Sequence, residues 1–392
     1  MDRPDDINLP PDTPWLADED VQAVCQAISA QGAKIYFVGG CVRDALLGID
    51  GADVDLATSA RPEDVINLSK TAGLKSVPTG FDHGTITVVS GGRGFEVTTF
   101  RADIETDGRH ARVQFASDIA EDARRRDFTM NALYATPEGR VVDPLGGLQD
   151  CLNRRVRFIE NAATRITEDY LRILRYFRFH AWYAPPDAGF DAEALAAIAA
   201  NTQGLETLSA ERIGAEMRRL LAAPEPAAAV AAMRQSGCLL RVLPGSDDTL
   251  LGPVVHLEQT LGQEPDAMLR LAALGGEAPA DRLRLSRADA QVLAAMTAHG
   301  FGVTPLAEVA YRHGARVATA AAILRAATAG QPLAESVSQT IKKACNARFP
   351  ISAKDLMPTL SGKALGDALR RMEARWIASE FSLSREDLMK DV

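Results

Sequence analysis

The chain of 392 residues has no run of about 20 apolar residues, so no helix of it is expected to span a bilayer. Clustered cysteine is missing too. Cys25, Cys41, Cys151, Cys238 and Cys345 are scattered, odd in number and without CxxC spacing. They read as reduced, mostly buried thiols of a cytoplasmic protein, which excludes a disulfide framework or a zinc site. The six histidines give no metal-binding pattern. The opening MDRPDDINLPPDTPW is acidic and broken by prolines, unlike a signal or transit peptide. An excess of positive charge is also lacking: the net charge is -9, which argues against a protein that coats nucleic acid by charge alone.

What is present is ordinary globular composition, with 46% hydrophobic and 24% charged residues. A single core rarely grows past about 250–300 residues, so more than one domain is expected. Up to about residue 150 the chain alternates short β-branched runs (34–40, 54–59, 85–90, 95–100, 139–144) with helical patterns at 21–30, 41–47 and 62–72. TITVVS and FEVTTF, separated by Gly91-Gly92-Arg93-Gly94, read as a hairpin. Beyond residue 150 strand signals nearly vanish. Helical patterns follow at 167–184, 191–201, 209–222, 225–236, 287–298, 305–328, 333–345 and 363–378. Thr167 is the expected N-cap of the first. Between Arg154 and Arg178 stand seven arginines against three acids, a local basic stripe able to meet phosphate.

The densest motif is FVGGCVRDALLGIDGADVDLATSA (37–60). A strand runs into Gly39-Gly40 and a helix opens directly after. Paired glycines admit a close phosphate, and a helix N-terminus offers unsatisfied N–H donors. Arg43 lies on the first turn, placed to reach the same phosphates. Asp53-Val54-Asp55, read as strand, puts both carboxylates on one face. Such a pair repels itself unless a cation intervenes, and Mg²⁺ is typically held by one or two carboxylates plus substrate phosphates. The order points to metal-assisted nucleotidyl transfer. Glu96, in FEVTTF, is either a third carboxylate of that site or a solvated strand residue; an antiparallel pairing would set its strand beside Asp53 and Asp55.

GGCVRD, DVDLATSA, HGTITVV, FEVTTFRADIETDGRH, RRRDFTMNAL, DPLGGLQD and EDYLRILRYFRF follow one another in an order that resembles class II CCA-adding tRNA nucleotidyltransferases and their relatives, bacterial poly(A) polymerases. The motifs cover roughly residues 35–180, and 349–387 resembles the family's C-terminal end more loosely. The resemblance implies an α+β head of the DNA polymerase beta-like class followed by an all-α neck, body and tail, with boundaries at 1–150, 151–215, 216–330 and 331–392. It implies Asp53 and Asp55 as Mg²⁺ ligands, and Gly40, Arg43 and Arg126 as nucleotide contacts. Asp127 and Asn131 become sugar-side or structural partners. In EDxxR, Asp169 and Arg172 are three apart; on one helix face they offer an acceptor and a donor fork to a base edge. The alternative is an Asp–Arg pair within the helix. Arg175 and Arg178 continue the spacing toward phosphates or primer.

The implied activity is addition of CCA to a tRNA 3′ end from CTP and ATP without a nucleic-acid template. Alternatives are a poly(A) polymerase, a partial CC- or A-adding enzyme, and a non-catalytic nucleotide-binding regulator, against which the intact Asp53 and Asp55 speak. The loop 107–113, with His110, resembles the family's flexible loop. Oligomeric state is not legible in the sequence.

Overall fold

The structure, a computed structural model, describes residues 7–51, 53–102, 114–357 and 359–390. The chain forms two compact units, Met1–Gly204 and Leu205–Val392. The loop at 107–113 lies outside the described residues.

The first unit is built on a mixed sheet. Its elements run α1 (Glu19–Ser29), β1 (Ile35–Val38), α2 (Gly40–Leu47), β2 (Asp55–Thr58), α3 (Pro62–Thr71), β3 (Lys75–Gly80), β4 (Thr85–Ser90) and β5 (Arg93–Thr99). A small ribbon, β6 (Arg101–Ala102) with β7 (Gln114–Phe115), and α4 (Ile119–Arg124) lead to β8 (Tyr134–Ala135) and β9 (Val141–Val142). The strand order is β3-β4-β5-β2-β1-β8-β9. Asp18 starts α1 by accepting the Asp20 and Val21 N–H groups, and Pro62 starts α3 where its missing donor costs nothing. The hairpin turn is narrower than the glycine run suggested: Ser90 pairs with Arg93, leaving Gly91 and Gly92 as the loop. Both take positive φ (54° and 81°), the geometry of a two-residue turn that matches strand twist. The sequence reading missed β3. Its proline is tolerated because β3 is an edge strand of the sheet.

Period-2 alternation divides the sheet. Phe37, Leu56, Val97 and Ile86 stand side by side across the ladder and are buried, each stabilising the fold by about 1.5–3 kcal/mol. Helices α1 and α3 pack against the sheet. On the opposite face Val38, Ala57 and Tyr134 join Phe100 and Ile159 in a second cluster.

β5 pairs with β2 in parallel, not antiparallel as the sequence reading had it. The physical reason is connectivity. Residues 59–92 provide the long crossover that a parallel pair needs, and the hairpin then reverses direction once more. The unit continues through α5 (Leu148–Leu152), α6 (Ala162–Glu168), α7 (Leu171–Tyr183) and α8 (Ala192–Ala200).

The second unit is helical, and among its described residues no strand occurs. Helices at Leu251–Thr260 and Ala267–Leu274 have no counterpart in the sequence reading. They share a buried pair, Arg270 Nε to Glu258 Oε2 at 2.7 Å, with Arg270 also donating to the Leu221 carbonyl. The helix Leu306–Ala329 is interrupted at Gly314 (φ 80°), a break that the periodicity did not show. Trp376 centres a separate cluster with Ile351, Leu356, Met372 and Leu388. Among the described residues no helix is long and apolar enough to cross a membrane, and all five cysteines are free.

Candidate active site

The glycine pair closes β1. Gly39 has φ 73° and ψ -117°, a conformation L side chains resist, and a Cβ there would lie 3.2 Å from Arg126 Nη1. Its N–H donates to the Leu133 carbonyl at 3.0 Å. Gly40 begins α2, so the first-turn N–H groups of that helix face the turn.

Asp53-Val54-Asp55 is not all strand. β2 begins at Asp55, and Asp53 precedes it off the ladder. The cause is the partner. Phe37 pairs with Leu56, and one residue beyond Val38 the chain turns into α2, leaving Val54 and Asp53 without a partner on the β1 side. Asp55 lies directly across from Glu96, which in turn faces Thr87. Asp53, Asp55 and Glu96 are all exposed. Partial burial, then the charges of Glu96 and Asp53, push the Asp55 carboxyl above its usual range against an opposing pull from Arg126. Three acids thus share one edge of the sheet with too little positive charge among them, a donor set that suits a divalent cation. Among the described residues no group of three His, Cys, Asp or Glu side chains closes into a ready cage.

Arg126 sits over the turn. Its Nη2 donates to Asp122 Oδ2 at 3.1 Å and its Nε to the Tyr134 hydroxyl at 3.2 Å, while that hydroxyl donates to Asp122 at 2.7 Å. Burial alone would raise the Asp122 carboxyl; Arg126, the Tyr134 hydroxyl and the Arg101 N–H outweigh it and hold it low. Asp122 and Tyr134 were absent from the sequence-derived set. The four-residue spacing of Asp122 and Arg126 was the available signal.

Arg43 is buried. It grips Asp44 with Nε (2.7 Å) and Nη2 (3.0 Å), donates to the Tyr183 hydroxyl at 2.6 Å and to Asn131 Oδ1, and stacks 4.2 Å over the Tyr183 ring. Asn131 Nδ2 donates to Asp127 Oδ1 at 3.0 Å, and Arg175 Nε donates to Asp127 Oδ2 at 2.6 Å. Asp44, Arg43, Asn131, Asp127 and Arg175 therefore form one polar bridge from α2 to α7. Burial would raise the Asp127 carboxyl, but Arg175, Asn131 and the Phe128 N–H hold it below its usual range. The Arg178 guanidinium lies 4.6 Å over the Phe179 ring.

The helix expected at 167–184 is broken. α6 ends at Glu168, Asp169 is extended (φ -152°, ψ 104°), and α7 starts two residues later. Asp169 Oδ1 accepts the Leu171 N–H at 3.1 Å, the work of a helix cap, which its short side chain favours over helix interior. Thr167 is no N-cap; it lies in the last turn of α6, its hydroxyl on the Thr164 carbonyl. Asp169 and Arg172 are thus not on one helix face. Arg172 pairs with Glu168 and donates to the carbonyls of Arg165 (2.8 Å) and Arg125 (2.9 Å). The Tyr170 ring beside the break packs against Gly204, where a Cβ would lie 2.0 Å from it.

Residues 35–157 match the poly A polymerase head domain, and residues 189–250 match a family described as the probable RNA and SrmB-binding site of polymerase A. Over these segments the chain is similar to CCA-adding enzymes and poly(A) polymerases. The mitochondrial CCA tRNA nucleotidyltransferase 1 of Danio rerio is 45% identical over 189 residues, 48% of this chain and 44% of that protein. A CCA-adding enzyme of Leuconostoc citreum is 40% identical over 228 residues, 57% of this chain and 54% of that protein. The chain spans about half the length of these curated relatives. The Bacillus stearothermophilus CCA-adding enzyme in complex with CTP superposes with a TM-score of 0.74 at 27% identity, over 96% of this chain and 98% of that one. The Thermotoga maritima CCA-adding enzyme complexed with tRNA shares the fold, with a TM-score of 0.70 at 18% identity over 98% of both chains.

Proposed function

We propose that this chain adds CMP, CMP and AMP in turn to the 3′ end of tRNA from CTP and ATP, with side chains in place of a nucleic-acid template. The observation that carries the reading is the register that sets Asp55 beside Glu96 at the end of the sheet where the Gly39-Gly40 turn and Arg126 also stand. The match of residues 35–157 to the poly A polymerase head domain and the likeness to a CTP-bound structure support it.

In this reading the turn and the first N–H groups of α2 receive the triphosphate, because backbone can approach where no side chain stands. Arg126 adds positive charge on the same side. Asp53 and Asp55 are the residues that would hold a divalent cation, Mg²⁺ in this proposal, and such an ion supplies charge neutralisation and a lowered pKa at an attacking hydroxyl. Glu96 adds negative charge at the same edge. The tRNA 3′-oxygen bonds to the α-phosphorus, the bond to the β-phosphate oxygen breaks, and pyrophosphate leaves. Asp169 and Arg172 read the incoming base from the α6–α7 break; Arg175 closes the buried bridge on Asp127, and Arg178 meets the primer. The division of the helical part into neck (151–215), body (216–330) and tail (331–392), and a cytoplasmic location, belong to the same proposal.

A second reading is kept because both matching family models carry the name of poly(A) polymerase: repeated AMP addition to RNA ends. Incubation with tRNA lacking CCA, with CTP, ATP or both, separates them by product length. The proposal expects two added residues with CTP and three with both nucleotides. A ladder of A with ATP alone would favour the polymerase, and no extension would remove the transferase reading.

A further inference from the structure

Arg126 is held by two groups, Asp122 and Tyr134, that stand apart from the three acids. Asp122, on α4, is 2% exposed, and each of its oxygens is engaged. Oδ1 accepts the Arg101 N–H at 3.2 Å; Oδ2 accepts from the Tyr134 hydroxyl and from Arg126 Nη2. Tyr134, on β8, is fully buried, and its hydroxyl accepts from Arg126 Nε while donating to Asp122. Two of the three guanidinium nitrogens are thereby fixed. A planar guanidinium held at two nitrogens has no freedom left for the third. That third nitrogen, Nη1, lies against Gly39, and among the described residues it makes no hydrogen bond. Its two N–H donors are therefore presented beside the turn that receives phosphate.

We infer that Asp122 and Tyr134 are positioning residues that aim Arg126 Nη1 at the triphosphate of the incoming nucleotide. This rests on the nucleotidyl-transfer reading of the site. The phosphates are common to CTP and ATP, so the aim changes affinity for both alike and leaves the choice between them untouched. Tyr134→Phe keeps the buried ring and removes only the hydroxyl that ties the two partners together.

The test is calorimetric binding of CTP and of ATP to the full chain as wild type, Tyr134→Phe, Arg126→Ala and the double variant, with Asp122→Asn as a second probe. Binding is measured rather than turnover, so an inactive variant still reports. Tyr134→Phe should weaken CTP and ATP by the same factor, about five- to tenfold, the scale of one lost hydrogen bond. On the Arg126→Ala background the same change should do nothing, because the two act through one contact. Asp122→Asn should weaken both nucleotides alike, and tRNA affinity should be unmoved in all variants. An equal loss on both backgrounds would make Tyr134 merely structural and overturn the inference, as would unchanged binding in Tyr134→Phe. A wild-type chain that binds neither nucleotide would overturn the transfer reading and this inference with it; wild-type binding with no Tyr134 effect would remove the inference alone.

Discussion

Two clusters of charge in the first unit answer burial in opposite ways. At the sheet edge Asp53, Asp55 and Glu96 are of one sign and open to solvent, and partial burial of the Asp55 carboxyl, then the charges of Glu96 and Asp53, push it up. In the bridge from α2 to α7, Asp44, Arg43, Asn131 and Asp127 are buried, of mixed sign and bonded to one another, so Asp127 is pulled down. The first arrangement lacks something that a cation and a triphosphate would supply. The second is complete as it stands. The difference separates the groups that the proposed transfer would use from groups that hold the frame; motif resemblance had placed Arg43 with the nucleotide and given Asp127 and Asn131 as sugar-side or structural partners.

The largest effect should come from emptying the acidic edge. Asp53→Ala or Asp55→Ala should lower C and A addition at least about a thousandfold, since such a site is worth several kcal/mol of transition-state stabilisation. tRNA binding, followed by filter retention, should stay within about twofold. Addition of a chelator to the wild type should reproduce the loss of turnover.

Asp127→Asn breaks the other cluster. Leaving Arg175 and Asn131 with a neutral partner should cost about 2–3 kcal/mol, read as a fall in the urea midpoint. Because the Asp127 carboxyl is held low, its contribution is complete above the ordinary carboxylate range and is lost as pH falls through the lowered value. The variant should therefore show a flatter loss of stability in acid than the wild type. Asp55 has the opposite sign: its ionised form opposes folding at neutral pH and is relieved as pH falls through the raised value. Solvent screening limits this to a few tenths of a kcal/mol.

A smaller effect tests the α6–α7 break. Asp169→Asn keeps a good cap for α7 but replaces an acceptor by a mixed donor and acceptor. Uracil presents a carbonyl where cytosine presents an amino group, so UMP incorporation relative to CMP should rise by roughly tenfold. An unchanged ratio in single-nucleotide extension would mean that Asp169 only caps the helix.

Most of the head was legible because its strands and turns carry strong local signals: the glycine pair, the β-branched runs, the two-glycine hairpin. The direction of β5 was not, because whether Glu96 meets Asp55 in parallel or antiparallel depends on a 34-residue crossover, not on local pattern. The break at Asp169 escaped because apolar spacing continues in phase from Ile166 through Tyr170, Ile173 and Phe177; only the aspartate at the junction marked it. Tyr134 and Asp122 escaped because a buried tyrosine and a helical acid look like core and surface until Arg126 is seen between them. The paired helices Leu251–Thr260 and Ala267–Leu274 rest on a buried Arg270–Glu258 contact that no periodicity shows.

The central claim is that the acidic edge performs the transfer while the buried bridge holds it in place. Single-turnover extension of tRNA lacking CCA at saturating CTP, run beside urea unfolding on Asp55→Asn and Asp127→Asn, tests it most directly. Asp55→Asn should be as stable as wild type or slightly more so, and inactive by at least about a thousandfold. Asp127→Asn, assayed well below its unfolding midpoint, should be less stable yet extend within about tenfold of the wild-type rate. A stable but inactive Asp127→Asn, with an active Asp55→Asn, would reverse the assignment of the two clusters and contradict the account.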